Sequence, residues 1–81
     1  PLYVVKKDGR REEFQAGKLR GGLRKACNKR PVSSDDIDDL IRHVESTLRA
    51  EAKNEVEAAV IGELVMERLF QLDQVAYVRF A

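Results

Sequence analysis

Asp8-Gly9 stands between two short β-prone runs, Leu2 to Lys6 and Arg10 to Phe14, and this arrangement restricts what the chain can fold into. Glycine accepts positive φ without steric cost, so an Asp-Gly pair in this setting reads as a hairpin turn. The first run is rich in β-branched and aromatic side chains, whereas the second alternates less cleanly. An isolated two-stranded hairpin is marginal in water. It must lean on helices, and the remaining sequence supplies them.

Lys18 to Lys29 reads as a first helix, with Leu19, Leu23, Ala26 and Cys27 on one face. Gly21 and Gly22 weaken it by roughly 1 kcal/mol each relative to alanine. Their bare backbone would admit the hairpin or a ligand, and Pro31 closes the segment. Ser33-Ser34-Asp35-Asp36 starts a second helix. A serine caps it, acids meet the positive end of the helix dipole, and Ser33 with Asp36 resembles a capping box. Its apolar stripe is Ile37, Leu40, Ile41, Val44 and Leu48. Ala52-Lys53-Asn54 is a weak connector. The third helix runs from about Glu57 to Leu72 and buries Val60, Ile61, Leu64, Val65, Leu69 and Leu72. Asp73 caps a last helix beginning near Gln74, with Val75, Val78 and Phe80 as its apolar residues. The expected class is α+β and mostly helical.

At 81 residues the chain is read as one small domain with a modest core. Hydrophobic residues at 43% and charged residues at 36% argue against disorder. A net charge of +1 gives no global attraction to nucleic acid, so any anion site must be local. The single cysteine, Cys27, cannot form an internal disulfide, which suits a reducing, cytoplasmic setting. With His43 as the only histidine, the four Cys/His ligands of a structural zinc site are lacking, and no zinc site is expected within this chain. No apolar run has the length of a membrane span and no signal-peptide pattern is seen, so no membrane partner is expected. The chain opens on Pro1 and stops within the apolar segment Val75 to Ala81, as a piece of a longer protein would.

Chemistry is concentrated near the start. Lysines beside a hairpin turn, Lys6 and Lys7, with Lys18 at the head of a helix, can hold a polyphosphate. Lysines at a surface turn are more often plain solvated charge. Gly17-Lys18 is not a phosphate loop: Glu12 stands where the Walker pattern needs glycine, and Leu19 where it needs Ser or Thr. Without that loop, a carboxylate cluster for magnesium or a catalytic triad, ATP hydrolysis is not expected and the chain is not read as an enzyme. Cys27 reads as core, His43 as a partly buried helix residue, and Tyr77 as packing a terminal helix. Arg10-Arg11 and Lys29-Arg30 read as solvated faces rather than DNA contacts.

Val4-Val5-Lys6-Lys7-Asp8-Gly9-Arg10-Arg11-Glu12-Glu13-Phe14, with Lys18-Leu19 beyond, resembles the ATP-cone, a regulatory adenine-nucleotide domain. That domain opens many ribonucleotide reductases. It also follows a zinc ribbon in the bacterial transcriptional repressor of ribonucleotide reductase genes. Lys29-Arg30-Pro31-Val32-Ser33, Ile61 to Leu69 and Leu72 to Ala81 resemble the repressor version in particular. The resemblance covers nearly the whole chain, 1–81, as a single cone without the zinc ribbon. It implies a bundle of about four helices capped by a small β-hairpin or sheet. ATP and dATP, with or without Mg2+, bind between cap and helices. Nucleotide state then governs homo-oligomer assembly, and assembly decides whether DNA is held through the zinc ribbon, all without hydrolysis.

Carried over by position, Val4, Val5, Lys6 and Lys7 form the nucleotide strand. The valine backbone addresses the adenine edge and Lys6 the phosphate. Glu12 meets base or ribose, Lys18 meets phosphate, Leu19 packs on the base, and Ile61 and Gly62 line the helical side. The chain departs from the family where Glu57-Ala58 replaces a Pro-Ser pair before the third helix, and where Gln15-Ala16-Gly17 replaces acidic and polar residues. Two alternatives stay open: the allosteric cone of a ribonucleotide reductase, and a helical interaction module that has lost nucleotide binding.

Overall fold

The computed structural model describes residues 1–51 and 54–81, so Ala52 and Lys53 of the expected connector lie outside the described residues. The elements run β1 (Tyr3–Val5), β2 (Arg11–Glu13), α1 (Ala16–Ala26), α2 (Ser34–Ala50), β3 (Glu55–Glu57), α3 (Ala58–Leu72) and α4 (Gln74–Phe80). The class is α+β and mostly helical.

The hairpin forms at Asp8-Gly9. Gly9 takes φ +87°, its N–H donates to the Lys6 carbonyl at 2.9 Å, and the Lys6 N–H donates to the Arg10 carbonyl at 2.8 Å. The Arg10 backbone N–H and its guanidinium both donate to the Asp8 carboxylate, which holds that carboxyl below its usual range.

β1 is the central strand of a sheet ordered β2-β1-β3. It pairs antiparallel with β2, Val4 facing Glu12, and parallel with β3, Val4 facing Val56. The parallel strand was not anticipated, because Glu-Val-Glu has little strand character until β1 offers its free edge. Alternation puts Val4, Glu12 and Val56 on the helix side of the sheet. On the outer side, the Arg11 guanidinium lies 4.7 Å from the Tyr3 ring centre and pairs with Glu55 at 3.0 Å, stitching all three strands together.

Under the sheet lies a core whose most enclosed side chains are Leu23, Val44, Ile41, Val65 and Leu69. The apolar stripe of α2 is buried as its periodicity predicts, and its start is a true capping box: Ser33 Oγ accepts from the Asp36 N–H and Asp36 accepts from the Ser33 N–H. α1 begins before Lys18 and ends before Lys29, which sits at φ +60°. Left-handed backbone at that point stops a helix. Cys27 is buried at the end of α1, and desolvation pushes its thiol pKa up.

Two sequence expectations need correction, and α4 buries a residue that the sequence did not single out. Ala76, not Val75 or Val78, is the fully buried residue of α4, with Tyr77 and Phe80 half-buried beside it, while Val75 and Val78 are exposed. A seven-residue helix has one stripe to bury, and 76, 77 and 80 make it. Gly22 admits Phe80, with the ring 3.4 Å from where a Cβ would stand, and Gly21 faces open space; neither meets the hairpin. His43 is exposed rather than partly buried. No helix among the described residues is long and apolar enough to cross a membrane.

Candidate functional site

Parallel pairing decides where the site forms. β1 and β3 point the same way, and β3 runs directly into α3. The end of β1, with Lys6, is thereby brought beside the first turn of α3, and the start of α1 closes the other side. Between them lies a concavity of about 200 Å³ lined by Val4, Lys6, Glu12, Glu13, Phe14, Gln15, Lys18, Ala58 and Ile61. A neighbouring concavity of about 630 Å³ shares Lys6 and Ala58 and adds Val5, Lys7, Gly9, Glu57 and Ala59. The smaller hollow alone falls below the roughly 300–1,000 Å³ of ordinary ligand sites. The two together form a trough around the end of the sheet.

Five of the residues expected at the site, Val4, Lys6, Glu12, Lys18 and Ile61, meet in the first hollow. Val5 and Lys7 stand in the second. Leu19 is half-buried against the core and lines neither, and Gly62 faces open space. Because β1 is flanked on both edges, the backbone groups of Val4 and Val5 are drawn into the two ladders. Their side chains are what they can offer a ligand. Sequence reasoning did not place Gln15 at the site, although it had marked Gln15-Ala16-Gly17 as unusual.

The trough gathers Lys6, Lys7 and Lys18 together with Glu12, Glu13 and Glu57, and its helix starts add partial positive charge. A helix leaves its first N–H groups unpaired, and they carry partial positive charge. Most helices answer this with a capping side chain. α2 has Ser33 and α4 has Asp73, whose Oδ1 accepts from the Ala76 N–H at 2.9 Å. The two helices that begin at the trough have neither a side-chain cap nor an acid in the first turn: α1 at Gln15 and α3 at Glu57. Glu13 in the first hollow and Glu57 in the second are counterweights, as is Glu12. Lys6 Nζ lies 3.6 Å from Glu12 Oε2, with both side chains about two-fifths exposed. Such a pair is worth little and opens readily. A further hollow of about 240 Å³ by Leu48 and Val60 is ringed by Glu51, Glu55 and Glu57, which would repel phosphate. Among the described residues no group of three or more His, Cys, Asp or Glu is placed to hold a metal ion.

A small three-stranded sheet leans on the helices, and lysines, glutamates and two uncapped helix starts gather at the sheet's end. The ATP cone domain model matches residues 2–81, and the chain belongs to the ATP-cone family. It is 56% identical over 81 residues to the transcriptional repressor NrdR of Desulfitobacterium hafniense, covering all of this chain and 53% of that protein. It is also 56% identical to NrdR of Halalkalibacterium halodurans over the same span, and 56% identical to NrdR of Thermotoga neapolitana, covering 52% of the latter. The chain spans about half the length of the curated relatives it matches. Those relatives are transcriptional repressors and not enzymes.

Proposed function

We propose that this chain is the adenine-nucleotide sensor of a bacterial, cytoplasmic transcriptional repressor of ribonucleotide reductase genes. It takes up ATP and dATP in the trough, and nucleotide state sets how copies of the protein assemble. The observation that carries this reading is the convergence of Lys6, Lys18 and two uncapped helix starts on one hollow. That is the chemistry a polyphosphate needs.

The residues divide the work by charge. Lys6 and Lys18 hold phosphate oxygens, joined by backbone N–H groups at the starts of α1 and α3, with Lys7 reaching in from the second hollow. Glu12 repels phosphate, so base and ribose lie at its end, where its carboxylate accepts from a hydroxyl or the exocyclic amine. Val4, Phe14 and Ile61 give the base an apolar wall. Magnesium, where used, arrives on the phosphates, since Mg2+ commonly keeps its waters and few protein ligands. Binding without hydrolysis is the whole of the chemistry proposed. Differential affinity of ATP and dATP for different assemblies then shifts the population among them. DNA is held through a zinc ribbon outside this chain.

Calorimetric titration of the chain with ATP and with dATP, with and without magnesium, tests the reading when molecular mass is followed by light scattering. Binding accompanied by a nucleotide-dependent mass supports the sensor. A folded chain that binds neither nucleotide is only an interaction module.

A further inference from the structure

Both helices that begin at the trough end at α4. α3 passes into α4 through Asp73 alone, which is the C-cap of the first and the N-cap of the second. Its N–H donates to the Leu69 carbonyl at 2.9 Å while its Oδ1 accepts from the Ala76 N–H at 2.9 Å. The far end of α1 is held by Arg79, whose Nη1 donates to the Ala26 carbonyl at 3.2 Å and the Asn28 carbonyl at 2.7 Å. Carbonyls at a helix C-terminus have no partner within the helix and attract cations. Phe80 rests over Gly22 of α1, and Arg30, from the α1–α2 connector, places Nε 3.1 Å from both oxygens of Asp73.

We propose that α4 is the element that reads out occupancy of the trough and that Arg79 is the positioning residue coupling the two; this rests on the nucleotide reading above. Packed helices move as rods, by small shifts and rotations. A phosphate drawn between the starts of α1 and α3 changes the angle between those rods. The change appears at their far ends, where α4 must follow α1, to which Arg79 ties it. α4 carries the exposed Val75 and Val78, so its seating also sets what apolar surface the domain presents. Coupling of this kind is reciprocal: what ATP does to α4, loosening α4 does to ATP affinity.

The test uses the 81-residue chain and three forms of it: wild type, Arg79→Met and Arg79→Lys. Calorimetry gives ATP affinity, and amide hydrogen exchange is followed in segment 75–81 with and without saturating ATP. In the wild type, ATP slows exchange in α4 by about fivefold or more. Arg79→Met abolishes the slowing and weakens ATP binding by the same factor, while exchange in α2 stays at the wild-type rate. Arg79→Lys, which keeps a cationic donor group on a differently shaped side chain, recovers part of both. Two results overturn the coupling: wild-type ATP affinity in Arg79→Met, or ATP binding to the wild type that leaves α4 exchange unchanged. Failure of the wild type to bind ATP at all appears in the calorimetry alone; it removes the nucleotide reading and this coupling with it.

Discussion

Arg30 and Asp73 meet with the guanidinium Nε 3.1 Å from both carboxylate oxygens, and the Asp73 side chain is 6% exposed. The carboxylate therefore serves two elements at once, capping α4 and gripping the connector after α1. Its pKa is held below the usual range, foremost by the Ala76 N–H and then by Arg30. A carboxyl whose folded pKa is depressed stabilises the fold above its unfolded pKa, about 4 for aspartate, and loses that contribution as pH falls through the folded value. Asp73→Asn should lower the melting temperature at neutral pH. It should also flatten the acid limb of stability against pH below about 4, as followed by circular dichroism. An unchanged acid limb would show that Asp73 carries no charge-dependent stability.

Lys6→Ala and Lys18→Ala should each weaken ATP binding by about 10- to 100-fold, the range for losing a hydrogen bond to a charged group. Both side chains stand at the hollow's surface, so melting temperature should change little. Calorimetry beside thermal unfolding separates the two effects. Weakening that tracks a loss of folding would count against direct contact.

Gly21 and Gly22 are neighbours with opposite surroundings. Gly21→Ala should stabilise the chain by about 0.5–1 kcal/mol, because the new methyl enters open space while helix propensity improves. Gly22→Leu should destabilise it, because the side chain displaces Phe80 from its seat. Urea unfolding of both variants gives the sign of each.

Ala58 lines both hollows at the first turn of α3. Ala58→Ser places a hydroxyl among the unpaired N–H groups there. It should tighten ATP binding by several-fold, in line with about 1 kcal/mol for one added hydrogen bond. Equal affinities in Ala58→Ser and wild type would place the phosphates away from this turn.

Features set within a few residues were legible from sequence. Asp8-Gly9 specifies a turn through backbone sterics, Ser33 with Asp36 a capping box through local hydrogen bonds, and Asp73 a helix start in the same way. The apolar stripe of α2 follows from helical period alone. Four of the nine expected site residues, Val4, Lys6, Glu12 and Lys18, also meet in one hollow, because the hairpin motif and the head of α1 are close in sequence.

Other features belong to the assembled molecule. β3 exists because β1 presents an unpaired edge to Glu55-Val56-Glu57, a segment far along the chain. That parallel pairing, not any local signal, carries the start of α3 to Lys6 and makes the trough. In α4, the choice of Ala76 over Val78 as the buried residue was made by Gly22, which leaves room for Phe80, and by Arg79, which anchors to α1. Hydrophobicity alone favours valine inside. The sequence by itself determined the turns, caps and helical stripes, since backbone chemistry acts at short range; only the tertiary structure decided which surfaces meet, because that depends on shape across distant segments.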